Sequence, residues 1–162
     1  MRKLTLLFCL LVATAAAQAQ FEKGKWIVNP SLTGLNLSHD TQSGKTSLGL
    51  EAQGGAFVVD NVALLLHMGA SWNAYGSDTD LYTLGVGVRY YFDQVGVFVG
   101  TNVNVDRWDF GHSDDDTKLS LGLEAGYAFF LSRTVTIEPG VYLNMNDDRS
   151  KFGLKVGFGF YF

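Results

Sequence analysis

The chain has 162 residues and a net charge of −4, with 19 Gly, two Pro, 14% aromatic residues and one Cys. The acidic balance argues against nucleic acid as a partner, and a single cysteine excludes a disulfide framework within the chain. Abundant Gly and aromatic residues point to sheet rather than to a helix bundle.

The first residues read as a leader. Arg2 and Lys3 form a charged head, Leu4–Thr14 a short apolar core, and Ala17-Gln18-Ala19 a small-x-small cleavage signal. The apolar run falls short of the ~20 residues that a spanning helix needs. The expected organisation is therefore a cleaved signal peptide over 1–19 and one domain over 20–162. Cys9 lies in the leader, so the exported domain is expected to carry no thiol. With Arg2 and Lys3 removed, ten basic side chains face sixteen acidic ones.

From Trp26 onward the chain alternates with period two, the signature of strands with two unlike faces. The first strand is expected over about Lys25–Ser38, with Trp26, Val28, Pro30 and Leu32 against Asn29, Ser31 and Thr33. The phase slips at Gly34, which suggests a bulge, and His39–Lys45 reads as a loop. The second strand, Thr46–Val58, and the third, Val62–Trp72, flank a short turn at Val59-Asp60-Asn61. The fourth, Leu81–Phe92, and the fifth, Val95–Asp106, flank Asp93-Gln94. The sixth, Lys118–Phe130, and the seventh, Val135–Met145, flank Ser132-Arg133-Thr134. The eighth is Lys151–Phe162. Pro30 and Pro139 sit badly in this scheme, because every strand of a closed barrel has two neighbours.

Composition decides which face is inside. The polar face of strands two to eight holds only Glu51, Arg89, Glu124, Glu138 and Lys155 as charges among Gly, Ser, Thr, Asn and Gln. That is too little for a water-facing exterior but suits a narrow lumen. The apolar face carries no charge along the strand bodies, as hydrocarbon demands: Lys or Arg at mid-depth on a lipid face costs ~2–4 kcal/mol. Closure pairs every backbone polar group, which an open sheet in lipid cannot do. Eleven residues at ~3.3 Å each, tilted ~40°, span about 28 Å, matching a bilayer core. The expected fold is all-β: an eight-stranded antiparallel up-and-down transmembrane barrel. An even strand count puts both termini on the side of the short turns.

Several groups stand out on this frame. Glu51, His67, Arg89, Glu124, Glu138 and Lys155 face a lumen just wide enough for side chains to fill and are expected to meet as a polar network. Tyr90, Phe92, Tyr127, Phe129, Phe160 and Phe162 cluster at the short-turn ends, and Trp72 and Tyr82 at the long-loop ends, as two interfacial girdles. Asp114, Asp115 and Asp116 form an acidic run that suits hard divalent cations but lacks the spacing of a calcium loop, so a weak site at most is expected there. His39, His67 and His112 are scattered. His112-Ser113-Asp114 brings the residue types of a hydrolase together on a loop, without a held base. Catalytic residues, metal ligands and cofactors are therefore expected to be absent.

The eight amphipathic strands, the leader, the short turns on one side and the stripe ending Phe158, Phe160, Phe162 resemble the small eight-stranded outer-membrane barrels of the OmpX and OmpA-transmembrane-domain type. The resemblance covers Gln20–Phe162. It implies periplasmic turns and termini, extracellular long loops, and contact with outer-membrane lipids including lipopolysaccharide. It also implies delivery by periplasmic chaperones to the barrel assembly machinery, with the terminal stripe as the assembly signal. A monomer with a structural, surface-display or interaction role and a filled polar lumen is expected. The alternative is a narrow porin-like channel for ions or small solutes; a lipid-modifying membrane enzyme is less favoured.

Overall fold

The computed structural model describes residues 21–33, 39–40, 48–72, 80–92, 95–109, 116–147 and 150–162. Among these, all regular structure is strand. We number eight barrel strands: β1 Trp26–Thr33, β2 Leu48–Val59, β3 Val62–Trp72, β4 Asp80–Tyr91, β5 Val97–Asp109, β6 Asp116–Tyr127, β7 Val135–Met145 and β8 Ser150–Tyr161. Each pairs antiparallel with its successor, and β8 returns to β1, so the sheet is a closed barrel. The expected leader over 1–19, the bulge at Gly34 and Asp114 and Asp115 lie outside the described residues.

Several boundaries move. His39–Asp40, expected in a loop, continues the line of β1 and pairs with Phe152 and Lys151 of β8. β4, β5 and β6 reach further toward the long loops than expected, with Asp80 opposite Asp109 and Trp108 opposite Asp116. Backbone ladders can outrun the apolar pattern, because beyond the hydrocarbon a strand no longer needs an apolar face. At the other end β6 is interrupted at Ala128 and resumes as Phe129–Phe130 against β7.

Both prolines are accommodated by openings in the ladder. β1 and β8 pair at Ile27↔Tyr161 and Val28↔Phe160, then only from Ser31↔Gly157, skipping Asn29 and Pro30. β6 and β7 pair as far as Gly126↔Gly140 and resume at Phe129↔Ile137, skipping Pro139. A missing N–H costs little where one flank of the strand is already unpaired.

The two faces separate as the period-two pattern requires. Outward side chains are large, apolar and uncovered: Leu66, Leu84 and Leu119 are 60%, 63% and 67% exposed. Inward side chains are buried, and Arg89, Tyr91, Phe98 and Tyr161 reach 0% exposure. Such a continuous apolar exterior is far larger than any patch a water-soluble monomer exposes.

Candidate functional site

The site is the lumen, and its centre is Arg89 on β4. The guanidinium carries five N–H donors in a planar fork and uses them in three directions. Nε donates to Glu124 Oε1 at 2.7 Å, Nη1 to Glu138 Oε2 at 2.9 Å and to the Tyr91 hydroxyl at 3.0 Å, and Nη2 to Gln53 Oε1. Below it the Phe98 ring centroid lies 4.3 Å from Cζ, a cation–π contact. Lys155 from β8 donates to the second oxygen of Glu124, which also accepts from Gln53 Nε2 at 3.2 Å.

Glu138 on β7 is equally surrounded. Its Oε2 accepts from Asn29 Nδ2 at 2.6 Å, and its Oε1 from the Tyr161 hydroxyl and Thr136 Oγ1, each at 2.7 Å. A buried carboxylate is tolerable only when its lone pairs are occupied in this way. β1, β2, β4, β6, β7 and β8 are thus tied to one another across the lumen as well as around the wall.

His67 and Glu51 form a separate pair. His67 Nε2 lies 3.4 Å from Glu51 Oε2, and Nδ1 lies 3.0 Å from Asn104 Oδ1. Asn104 Nδ2 donates to Asn102 Oδ1 at 2.7 Å. The six expected lumen residues therefore fall into two groups: Arg89, Glu124, Glu138 and Lys155 in one, Glu51 and His67 in the other. Two small cavities adjoin them. One of about 50 Å³ lies toward the long loops, between Glu51, Thr83, Asp106, Ser120, Tyr142 and Lys151. One of about 10 Å³ lies between Gln53, His67, Asn102 and Glu124.

The small residues on the inward face make this packing possible. A Cβ on Gly100 would stand 2.7 Å from Glu124 Oε1, and one on Gly157 2.6 Å from Asn29 Oδ1. The amides Asn29, Gln53, Asn102 and Asn104 are network members that the sequence places on the inward face without marking them as partners. Their sequence signal is weak: amides at the inward period, among Gly and Ser.

Toward the short turns the lumen ends in an apolar floor of Ile27, Phe57, Ala63, Leu65, Tyr91, Phe98, Ala128 and Tyr161. Phe21, which precedes β1 and carries no strand periodicity, is buried in it. Sequence reading offers nothing to find it.

On the exterior, Tyr90 and Phe92 are in edge contact at 5.0 Å, and Tyr127 and Phe129 lie 4.3 Å apart. Phe160 is partly covered and Phe162 is 66% exposed. Trp26, 62% exposed, joins this ring and was not among the expected members. At the other end Tyr82 is half exposed beside the outward Arg107. Trp72 ends β3, but its side chain, like that of Asp116, is outside what the structure describes.

A closed barrel with hydrocarbon side chains outside and an ionic network inside is a transmembrane β-barrel. Among the described residues no helix is long and apolar enough to cross a membrane; the strands do so. The chain belongs to the outer membrane protein β-barrel domain family, whose profile matches residues 5–162. It is an integral outer-membrane β-barrel.

Solved structures agree in fold. Neisserial surface protein A is 18% identical, with 85% of this chain and 96% of that one covered and a TM-score of 0.68. The N-terminal barrel of Pseudomonas aeruginosa OprF is 13% identical, covers 85% and 97%, and gives 0.64. Ail, the attachment invasion locus protein of Yersinia pestis, is 17% identical, covers 87% and 99%, and gives 0.56. No curated protein matches the sequence significantly.

Proposed function

We propose that this protein is a structural or surface-interaction barrel whose lumen is filled and does not conduct. The observation that carries the reading is the Arg89 cluster: a fully buried guanidinium bound on three sides, standing on an aromatic floor. Moving an ion past it means separating buried charges from their partners, which costs several kcal/mol per group. The cavity of about 50 Å³ near the long loops is the one feature favouring the alternative, a narrow channel. Among the described residues it gives a solute somewhere to enter, and below it stand a cavity of only about 10 Å³ and the Arg89 cluster.

The polar groups do not favour an enzyme. His67 pairs with an amide and an acid, Asn104 and Glu51, rather than with a nucleophile. The remaining parts of the reading are proposals of the same kind, supported by the residue pattern and by the resemblance to outer-membrane barrels. The leader over 1–19 is cleaved. The short turns and both termini face the periplasm, and the long loops face outward among lipopolysaccharide. Chaperones and the assembly machinery read the terminal Phe158, Phe160 and Phe162. The chain is a monomer, and the acidic run Asp114–Asp116 is a weak cation site at most.

Orientation and display are tested together by labelling single cysteines in intact cells with a membrane-impermeant maleimide, in a Cys9→Ser background. Asp115→Cys, between β5 and β6, should label, and Ser132→Cys in a short turn should label only after the outer membrane is opened. The reverse pattern would overturn the orientation. Labelling of neither site in intact cells would overturn the display role.

A further inference from the structure

The apolar floor contains a site for one aromatic ring, and we infer that Phe21 occupies it in cis as a stopper sealing the short-turn mouth. Phe21 lies on no strand, yet it is 3% exposed. Its ring stacks on Tyr91 at 4.2 Å and 21°, and lies 5.7 to 5.9 Å from Phe57, Phe130 and Tyr161. Ring pairs at such separations are the favourable offset and edge arrangements.

The backbone holds the ring there. Asn61 N–H donates to the Phe21 carbonyl at 2.7 Å, Lys23 N–H to Asp60 Oδ1 at 2.8 Å, and Gly24 N–H to the Phe57 carbonyl at 2.8 Å. Asn61 and Gly24 both sit at positive φ, 67° and 90°, a conformation that Asn and Gly adopt most readily. The turn between β2 and β3 thus serves as a clasp: Asn61 takes Phe21 with its N–H and gives its carbonyl to Tyr91 N–H at 2.8 Å.

The lumen is consequently closed twice in series, by a dry aromatic seal and above it by the Arg89 cluster. Among the described residues, Phe21 is the side chain that covers the floor from the short-turn side. The stopper goes beyond the closed-lumen reading and can fail without it, since the cluster alone would still block ions.

The test is thiol access to the floor. Ala128 is 2% exposed within the floor cluster, and Ala128→Cys in a Cys9→Ser background places one thiol there. The probe is a small cationic methanethiosulfonate added to the refolded barrel in detergent. With Phe21 present, labelling should be slow relative to Ser132→Cys on the exposed turn. Phe21→Ala should accelerate it about tenfold or more by opening the floor. Phe21→Leu, which keeps apolar bulk without the stack, should fall between, and it decides the matter if the Ala variant does not refold. Saturating benzene should slow labelling of Phe21→Ala again, as an apolar cavity takes up benzene. Fast labelling with Phe21 in place, or equal rates for Phe and its replacements, would overturn the stopper.

Discussion

Arg89 and Lys155 have similar burial and the same charge sign, but their surroundings differ. Arg89 is the shared partner of Glu124 and Glu138, so Arg89→Ala strips both carboxylates of a cation and should cost about 3–5 kcal/mol. Lys155→Ala leaves Glu124 still bound by Arg89 and Gln53, and should cost less, about 1–3 kcal/mol. Arg89→Lys should not rescue, because an ammonium cannot fork between acids on different strands. Urea unfolding of the refolded barrel measures all three; a larger loss for Lys155→Ala than for Arg89→Ala would show that the cluster is not centred on Arg89. A methyl at Gly100 collides with Glu124, and Gly100→Ala should destabilise by about 1–3 kcal/mol by the same assay, as overpacking does. The residues of this cluster are legible in the sequence because period two puts each on the inward face. Their partners are not, because reach across the lumen depends on strand tilt and stagger, which no local pattern records. Glu51 illustrates this: period two puts it on the same inward face as Glu124, yet it lies against His67 rather than in the Arg89 cluster.

Among the elements, β8 combines two roles on its two faces. Inward, Lys155 and Tyr161 enter the network and the floor. Outward, Phe152, Phe158 and Phe162 stand 49%, 44% and 66% exposed to the bilayer side. Phe162 also closes the barrel at its end, exchanging both backbone hydrogen bonds with Trp26 at 3.0 Å. Phe152→Ala and Phe162→Ala remove the same outward ring and should lower refolded stability alike. If Phe162 is part of the assembly signal, its replacement should reduce the membrane-inserted fraction in cells severalfold more than Phe152→Ala does. Equal losses in cells would make Phe162 a packing residue only. The strands themselves are legible nearly end to end, and the two prolines look discordant only because a sequence does not show where a ladder opens. The floor is legible only in part: Tyr91, Phe98 and Tyr161 follow the inward period, whereas Phe21 lies outside any period and is placed by the clasp at Asn61.

At the scale of the whole molecule, the barrel resolves into three layers along its axis. A polar mouth with Glu51, Asp106 and Tyr142 lies toward the long loops, the Arg89 cluster fills the middle, and the aromatic floor with Phe21 closes the short-turn end. Eight strands leave an interior just wide enough to be filled by its own side chains. Glu124 and Asn29 occupy the space beside the inward Gly100 and Gly157. That filling is what would block conduction, and single-channel recording of the refolded barrel in planar bilayers tests it most directly. The filled lumen predicts a silent baseline in molar salt at either polarity. Steady discrete openings of uniform size would contradict it.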